Sequence, residues 1–510
     1  MFDRSAPTVA TVSPSARRLT VPQMATLLII GLAIAVRLVA PIDPNIDWLM
    51  SNCRAFLAGH KLYVDIVETN PPMAIFIYLP AAGIEALTRL QAETVFTAMV
   101  LAIGAVSGWL FCNCARRAGI NLPWLLPLTL FVLLVAPLAS FAEREHVALI
   151  LIMPMLGVAV LRAARQPVPL ALLIGAGVAA GIVPMIKPQF ALAVIAVYAA
   201  LAIRRRDAKM LICPEALIAA AATLIYLGLV WWLIPVYGHN VVPMLLELYR
   251  PMRSPLTDPA ISVKLGLWLL SLAGLVWSVR REVLTPLPFV LLAAAAGFLF
   301  AFIDQGRGWP YHALPFASLT LLAVAATIAP AITGNDPMRR VPAVAALLAA
   351  LIPLGYMTGF TGHYSKVVEP IRATVAHPTI MSISFDLTPG HPITTEAGGT
   401  WAGTYSSRWI TVNANYLLHR EHDPVKQARL RAWIGYDRTV TNRDLMKRPD
   451  IVLIGLGPFD WPGWINADPQ TRALMSNYVP LAEDRLTPQQ RARFEGVAAY
   501  IRKDLLTPAH

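Results

Sequence analysis

Residues 43–72 read DPNIDWLMSNCRAFLAGHKLYVDIVETNPP and form the first long polar interruption after the first apolar segment of this 510-residue chain. The stretch carries four acids beside two basic residues and ends in a Pro-Pro corner: Asp43, Asp47, Asp65, Glu68, Arg54 and Lys61. The rest of the chain largely avoids charge. A concentration of ionisable groups in an apolar chain is a candidate functional loop, so the neighbouring segments are interpreted from it outward.

The composition is that of a membrane protein with several spans. Hydrophobic residues make up 56% of the chain and charged residues 14%, and the mean hydropathy is +0.57. The 42 Lys and Arg against 30 Asp and Glu give a net charge of +12, which membrane topology explains without a nucleic-acid partner. Of the four cysteines, only Cys53 falls outside the predicted spans, so no disulfide framework is expected.

Hydropathy and charge together predict the topology. Val21–Ala40 is long enough to cross a bilayer, and no small-residue cleavage site follows it. The polar, basic residues 1–20 place the amino terminus in the cytoplasm and the 41–93 loop on the outer face. Ten further spans are predicted at about 94–115, 122–139, 147–161, 168–186, 189–203, 211–235, 261–279, 283–303, 311–331 and 341–360. On this count every arginine pair or triplet lies inside and the acidic turns lie outside.

Two regions do not fit the pattern of spans. Pro72–Leu90 contains proline, glycine and charge, and is predicted as a helix in the membrane interface. Residues 361–510 have no segment long enough to span and are predicted as an outer α/β domain. Its predicted strands are 380–384 and 450–455, and its predicted helices are 424–434 and 488–502. The fold class is therefore a polytopic α-helical membrane protein, with a 21–360 membrane module of about eleven spans, loop helices and a C-terminal domain.

The first loop supplies the leading candidate residue. Apolar residues between Ile46 and Leu57 follow helical spacing, so the loop is predicted to begin as an amphipathic helix with Asp47 and Arg54 on its polar face. A single loop acid is most often a solvated surface charge. Here, other predicted outer turns also carry charged or aromatic candidates at span ends, which favours a common site: Glu143, Glu145 and His146; Lys187; Tyr249; and Arg307, Tyr311 and His312.

Each of these turns has a structural interpretation beside the functional one. Glu143, Glu145 and His146 could hold a divalent cation such as Mg²⁺ or Mn²⁺, because hard cations prefer carboxylate oxygens, or Arg144 could simply neutralise the glutamates. Lys187 could bind an anion or extend to lipid headgroups. Arg307 lies in a Gly-Arg-Gly turn, where its guanidinium could make bidentate contacts to a phosphate.

The order of motifs resembles a known superfamily. Arg37, Asp47, Gly59-x-x-x-Tyr63-x-Asp65 and Pro71-Pro72 are similar to the first outer loop of the GT-C superfamily of lipid-carrier-dependent glycosyltransferases. This superfamily includes protein O-mannosyltransferases and bacterial aminoarabinose transferases of lipid A. An acidic second outer turn, a Gly-rich span leading to Lys187, and a basic turn before a late span extend the resemblance over residues 21–331. Asn70 and the Glu-x-Glu turn depart from the pattern of those two branches.

The resemblance implies an enzyme that uses a polyprenyl-phosphate sugar. An acid of the first loop, here Asp47, would be the general base for direct displacement with inversion. Lys187 and Arg307, with or without a metal at Glu143, Glu145 and His146, would stabilise the departing polyprenyl phosphate. Residues expected to bind substrate are Asp43, Arg54, Tyr63, Asp65, Glu68, Lys187, Tyr249, Arg307, Tyr311 and His312. No nucleotide cofactor is expected, because the sequence has no P-loop.

Two other function classes remain open from the sequence. A transporter or flippase of lipid-linked sugars would share the spans, but it predicts charges near the bilayer midplane and related halves. A non-catalytic assembly subunit of an envelope-glycan machine predicts that Asp47→Asn is tolerated. The expected location is a bacterial inner membrane with the carboxy terminus in the periplasm. The sequence identifies neither the sugar nor the acceptor, which could be a glycan, a lipid or a protein.

Overall fold

A bundle of apolar helices, followed by a small α/β domain, makes up the computed structural model, which describes residues 19–40, 43–280, 282–333, 336–355, 364–485 and 496–506. In these ranges the α-helices of the bundle and its loops are α1 (Val21–Val39), α2 (Pro44–Leu57), α3 (Met73–Phe76), α4 (Leu79–Thr88), α5 (Ala92–Arg117), α6 (Leu125–Leu130), α7 (Arg144–Ala163), α8 (Leu170–Ile186), α9 (Ala191–Arg205), α10 (Pro214–Leu233), α11 (Val242–Met244), α12 (Pro259–Val279), α13 (Pro286–Gln305), α14 (Pro310–Thr327), α15 (Ala329–Thr333) and α16 (Pro337–Gly355).

Helices occupy all eleven predicted span positions. Among the described residues, eight helices are long and apolar enough to cross a membrane: α1, α5, α7, Pro188–Arg205 with α9, α10, α12, α13 and α16. Leu125–Val135 and α8 are shorter apolar helices, and α14 has 18 residues. The protein is thus a multi-pass membrane protein. The last span was predicted to reach residue 360, but residues 356–363 lie outside the described residues.

Helix α7 forms the centre of the bundle. Its most apolar window is 83% buried, against 6% for α1 and 11% for α10, which face outward. It packs against α5 and α8, with further contacts to α13 and α14. Close packing elsewhere depends on small residues: a Cβ on Gly297 of α13 would lie 2.4 Å from the Cα of Ala193 in α9. The core helix therefore presents its first turn, Arg144-Glu145-His146, at the head of the bundle.

The polar first loop folds onto this head. Asp43 caps α2 by accepting a hydrogen bond from the backbone N–H of Asn45, and Pro44 begins the helix. The segment Pro72–Leu90 forms two short helices, α3 and α4, of 4 and 10 residues, which are too short to span. Arg54 ties α2 to α4 and α5 through ion pairs to Glu85 (2.6 Å) and Glu93 (2.7 Å).

The carboxy-terminal domain is α/β, as predicted. Its helices and strands are α17 (Ser365–Thr374), β1 (Thr379–Ile383), α18 (Gly390–Glu396), β2 (Thr400–Trp401), α19 (Trp409–Leu418), α20 (Pro424–Met446), β3 (Ile451–Gly455), α21 (Trp461–Asn466), α22 (Pro469–Met475), β4 (Tyr478–Asp484) and β5 (Val497–Arg502). The sheet order is β2-β1-β3-β5-β4. Strand β1 pairs in parallel with β2 and β3, and β5 pairs antiparallel with β3 and β4.

One predicted element of this domain is wrong. Residues 488–502 were predicted as a helix, but Val497–Arg502 is strand β5, and residues 488–495 lie outside the described residues. The strand lies between β3 and β4, with Val497, Ala499 and Ile501 fully buried. Pairing on both edges and burial override the local helical preference of this segment. The predicted strands at 380–384 and 450–455 and the helix at 424–434 are confirmed.

The domain packs directly on the first loop. The backbone N–H of Val67 donates to the carbonyl of Thr404 at 2.9 Å. Trp48 of α2 lies against His391 and Trp401 of the domain, with ring centroids 5.0 and 6.4 Å apart. The loop is therefore enclosed between the helical bundle below and the α/β domain above.

Candidate functional site

Two acids from different elements meet at the head of the bundle. Asp43 caps α2 and Glu143 caps α7, and Asn45 joins them by donating to both carboxylates, at 2.9 and 3.0 Å. Burial raises the pKa of both acids. The charge of Asp43 raises the pKa of Glu143 further, whereas the hydrogen bond with Glu143 opposes the rise at Asp43. Glu143 is therefore the member of the pair that gains a proton more readily, and Asp43 the one that ionises more readily.

Asp47 lies one helical turn from Asp43 but faces different neighbours. It was predicted on the polar face of α2, and it is only 6% exposed, so it is not a solvated surface charge. Burial raises its pKa well above the ordinary value, and the charges of Glu93 and Asp43 raise it further. Its carboxylate makes no hydrogen bond within the described part of the chain. Of the two acids, the structure brings Asp43 rather than Asp47 into contact with the acidic turn of α7.

A second charged group lies beside the first. The Nζ of Lys187 donates to Glu145 at 2.5 Å and to Gln305 at 3.0 Å, and lies 3.3 Å from the Nε2 of His312. Lys187 is 7% exposed and follows α8, so it is buried in the protein and does not extend to lipid headgroups. Burial lowers its pKa, and Glu145 opposes that change. The predicted residues Glu145, Lys187 and His312 are thus brought together.

Arg144 is the functional candidate that the sequence interpretation underrated. Its side chain is 5% exposed, and its ion pairs are long, 3.6 Å to Glu143 and 3.9 Å to Glu68. Within the described residues its guanidinium makes no hydrogen bond. A buried guanidinium has five N–H donors, which normally find acceptors. The signal in the sequence was its position, because an arginine in the first turn of a helix opposes the helix dipole and needs another reason to be there.

Arg307 is held in place by backbone contacts. Its Nη1 donates to the carbonyl of Met252 and its Nη2 to that of Tyr249, both at 2.9 Å. The guanidinium carbon lies 3.9 Å from the centre of the Tyr249 ring. Gly306 and Gly308 have φ of +59° and +64°, which lets the turn form without strain. Arg307 therefore fixes the Tyr249 loop, and among the described residues its Nε has no hydrogen-bond partner.

Tyr311, predicted to bind substrate, begins the same helix as His312 and stacks edge-on against it, at 4.6 Å between ring centres. The Nζ of Lys187 lies 6.0 Å from the Tyr311 ring. Tyr311 thus lies at the Lys187 side of the cluster.

Four other predicted substrate-binding residues have structural partners. Arg54 is engaged by Glu85 and Glu93. The Tyr63 hydroxyl donates to the carbonyl of Asn70 at 2.6 Å, and Asp65 accepts from the backbone N–H of Lys61 at 2.8 Å. Glu68 accepts from the Trp48 indole and from the backbone N–H of Asn70. These contacts hold the loop in shape, and of the four only Glu68 also reaches the cluster, through Arg144.

The structure does not assemble the three predicted metal ligands into one group. The Nδ1 of His146 accepts from the backbone N–H of Ala142 at 2.9 Å, so its Nε2 carries the hydrogen and contacts the carbonyl of Leu133 at 2.6 Å. Glu143 is paired with Asp43, and Glu145 with Lys187. Within the described ranges no group of three His, Cys, Asp or Glu side chains is placed to hold a metal ion. Metal dependence stays a prediction.

Comparison with known proteins identifies the fold. No family model and no curated protein matches the sequence. The structure is similar to that of ArnT from Cupriavidus metallidurans in the apo state, with a TM-score of 0.54 and 12% identity over 95% of this chain and 99% of that chain. The structure of the same ArnT bound to undecaprenyl phosphate aligns over the same shares with a TM-score of 0.49 and 12% identity. ArnT is an aminoarabinose transferase of the GT-C type. The predicted GT-C-like fold is thus confirmed.

Proposed function

We propose that the protein is an inverting glycosyltransferase that moves a sugar from a polyprenyl-phosphate donor to an acceptor hydroxyl at the outer face of a bacterial inner membrane. A single cluster of buried charged side chains at the head of the bundle supports this proposal. It places a paired carboxylate, Asp43 with Glu143, beside two buried cations, Arg144 and Lys187, where spanning helices end. The ArnT-like fold supports the glycosyltransferase class. The amino terminus would be cytoplasmic and the carboxy-terminal domain periplasmic.

The paired acids suit proton transfer from an acceptor. Asp43, kept ionised by the hydrogen bond from Glu143, would take the proton of the acceptor hydroxyl while that oxygen attacks the anomeric carbon. The bond from the anomeric carbon to the donor phosphate breaks, and the electron pair leaves with polyprenyl phosphate. Asp47 is the base that the sequence resemblance favoured. The geometry favours Asp43 over Asp47, because Asp43 lies against Glu143 at the start of α7 and Asp47 does not.

The buried cations suit the leaving group. Polyprenyl phosphate gains negative charge as the sugar departs, and donors already in place stabilise such charge without reorganisation. Arg144 has free N–H groups for a phosphate, whereas Lys187 would divide its donors between Glu145 and the phosphate. Arg307 would act through Tyr249, since its Nη groups are occupied by backbone carbonyls. No nucleotide is required, because the donor phosphodiester supplies the driving force.

The test uses purified protein in lipid nanodiscs with a panel of polyprenyl-phosphate sugars and a bacterial envelope extract as the source of acceptor hydroxyls. Consumption of donor is compared for the natural protein, Asp43→Asn and Asp47→Asn. Loss of a general base lowers the rate by about 10²–10⁴-fold, which is the result expected for Asp43→Asn. Asp47→Asn is expected to keep activity within tenfold of the natural protein.

Two results would contradict the proposal. If the natural protein neither binds nor consumes any donor, the glycosyltransferase function fails. If Asp43→Asn keeps full transfer while Asp47→Asn loses it, the function stands and Asp47 is the base. Thermal unfolding of both variants serves as the control for folding.

A further inference from the structure

A cleft lies between the α/β domain and the membrane module, and neither Asp43 nor Glu143 belongs to its lining. Its volume is about 660 Å³. One wall is the 242–252 segment, which contributes Leu246, Glu247 and Pro251, and the other is formed by α19, α20 and the turn between them. Leu417 and Leu430 supply apolar surface to the second wall. The cleft thus combines apolar contact surface with a charged rim.

The rim has an excess of available positive charge. Its two acids are already satisfied: Glu247 accepts from the Trp433 indole at 3.1 Å, and Glu421 accepts from the backbone N–H groups of His422 and Asp423 at 3.0 Å each. Arg429 and Lys426 reach these acids only at 3.6 Å. In the described part of the chain Arg420 has no ion pair.

Arg420 is instead positioned by an aromatic ring. Its guanidinium carbon lies 3.7 Å from the centre of the Tyr416 ring, and Tyr416 is 41% exposed. A cation stacked on an aromatic face keeps its N–H edges free for an anion. Leu246, Pro251 and Leu417 supply apolar surface of the kind that packs on the C–H faces of sugar rings. The chemistry of the cleft therefore matches a carbohydrate that carries carboxylate or phosphate groups.

The cleft and the charged cluster share one wall. Leu246, Glu247 and Pro251 face the cleft, while Tyr249 and the carbonyl of Met252 in the same segment hold Arg307. The Tyr249 ring packs edge-on against Trp409 of α19, at 5.8 Å between ring centres. A molecule bound in the cleft would therefore press on the segment that positions Arg307.

We propose that this cleft is an acceptor-binding site for an anionic glycan, recognised by Arg420 and Arg429 at its rim. The inference rests on the proposed glycosyltransferase function, since it assigns the acceptor class. Anionic sugar is the shared chemistry of two sources, a free acidic polysaccharide and an acidic glycolipid. Neutral glycans lack the groups that the rim would bind.

The experiment measures binding without catalysis. The full chain in nanodiscs of zwitterionic lipid is titrated with a galacturonic acid oligosaccharide, and in a second arm with nanodiscs that contain a glucuronic acid glycolipid. A maltooligosaccharide of equal length is the neutral comparison. Arg420→Ala and Arg429→Ala are each expected to weaken binding about tenfold, or about 1.4 kcal/mol, because each removes a hydrogen bond to a charged group. Arg431→Ala, on the exposed side of α20, is the matched control and is expected to bind as the natural protein does.

The outcomes are decisive in both directions. The site is supported if an acidic probe binds and its affinity falls in the Arg420 and Arg429 variants but not in the Arg431 variant. The probe with the higher affinity, oligosaccharide or glycolipid, identifies the source. The site is overturned if neither acidic probe binds, if maltooligosaccharide binds equally well, or if Arg431→Ala has the same effect as Arg420→Ala. Binding of polyprenyl phosphate in the absence of glycan is recorded separately, so failure of this site is distinguishable from failure of the proposed donor site.

Discussion

At the scale of single residues, Asp43 and Glu143 have opposite roles although both are buried acids. Glu143 has the more strongly raised pKa of the two, because burial and the charge of Asp43 both raise it. Asp43 accepts the resulting hydrogen bond. The two amide substitutions should therefore have different effects. Glu143→Gln keeps a hydrogen-bond donor to Asp43, whereas Asp43→Asn removes the proposed base.

Glu143→Gln is therefore expected to keep donor turnover within about tenfold of the natural protein near neutral pH and to change its pH profile. In the natural protein, activity rises with pH as Asp43 ionises, above the pH of an ordinary aspartate because its pKa is raised. At higher pH, Glu143 loses its proton, repels Asp43 and reduces activity. The glutamine cannot ionise, so the alkaline decline should disappear. The measurement is kcat/KM against pH, and an unchanged alkaline decline would refute the assignment.

Arg144→Gln should weaken binding of polyprenyl phosphate itself. The guanidinium has free donors and only long ion pairs, so a phosphate would gain charge-assisted hydrogen bonds from it. Loss of these bonds corresponds to about 1.5–3 kcal/mol, or roughly a tenfold to hundredfold weaker Kd. Equilibrium binding in nanodiscs measures the change. Arg117→Gln, at the exposed end of α5, is the control, and equal weakening in both variants would argue against a specific contact.

The sequence predicted the right loop but could not rank its acids. Helical periodicity correctly placed Asp47 opposite the apolar stripe of α2. The side of α2 opposite an apolar stripe is exposed to water only when nothing packs on it. Here the α/β domain covers that side of the helix. Contacts between Asp43 and Glu143 join positions one hundred residues apart, so local pattern carries no information about them. Lys187 was predicted because a lysine after an apolar span is conspicuous in any sequence.

At the scale of elements, the segment between α6 and α7 is irregular yet buried. Residues 131–135 are π-helical, and a short 3₁₀ turn covers Leu138–Ser140. Its carbonyls are satisfied by side chains: Arg37 donates to Leu138 at 2.8 Å and Tyr78 to Ala142 at 2.9 Å. Arg37 thus turns inward, and its guanidinium also covers the Phe141 ring. His146 serves the same backbone, which explains why it is not free to bind a metal.

The close contact between α9 and α13 predicts that one added methyl group in this interface lowers the stability of the protein. In Gly297→Ala the new Cβ would lie 2.4 Å from the Cα of Ala193, closer than van der Waals contact allows. Helices α13 and α9 must then move apart, which typically lowers the free energy of unfolding by about 1–3 kcal/mol. Gly228→Ala in α10 meets no atom within 4 Å and is expected to be neutral or slightly stabilising. Thermal unfolding in detergent compares the two. Equal melting temperatures would show that the close approach of α9 and α13 contributes little to stability.

At the scale of the whole molecule, the α/β domain packs over the first loop and covers it. The contacts are the Val67–Thr404 backbone hydrogen bond and the cluster of Trp48, His391 and Trp401. Burial holds the pKa of His391 at about 3, so this ring is neutral under the conditions of growth and packs as an apolar group. The domain therefore stabilises the loop through packing rather than charge.

Trp401→Ala should loosen the loop without unfolding the bundle. Removal of the ring leaves a cavity beside His391 and Trp48, and large-to-small changes of this kind cost about 3–5 kcal/mol when the site is fully buried. Trp401 is only half-buried, so a smaller effect is expected. Amide hydrogen exchange should increase at Val67 and its neighbours but not in α7. Unchanged exchange at Val67 would show that the domain does not hold the loop.

Span positions were predictable because length and hydropathy are local properties that the bilayer imposes on each segment. The order of the sheet was not, because strand β5 is defined by its partners β3 and β4 rather than by its own sequence. The same distinction applies to the site. Arg144 could be counted as a charge from the sequence, but its burial and its long ion pairs to Glu143 and Glu68 depend on how the first loop packs on α7.

The short, irregular third span has a consequence for biosynthesis. Leu125–Val135 rises only about 17 Å, well below the roughly 30 Å of the hydrocarbon layer, and the backbone that follows it depends on Arg37, Tyr78 and His146. Two of these partners are translated earlier, but His146 belongs to the next helix. We therefore expect the translocon to release this segment only together with α7, as a hairpin. Ribosome-bound chains that end before Glu143 should remain extractable by alkali, whereas chains that include all of α7 should be integrated.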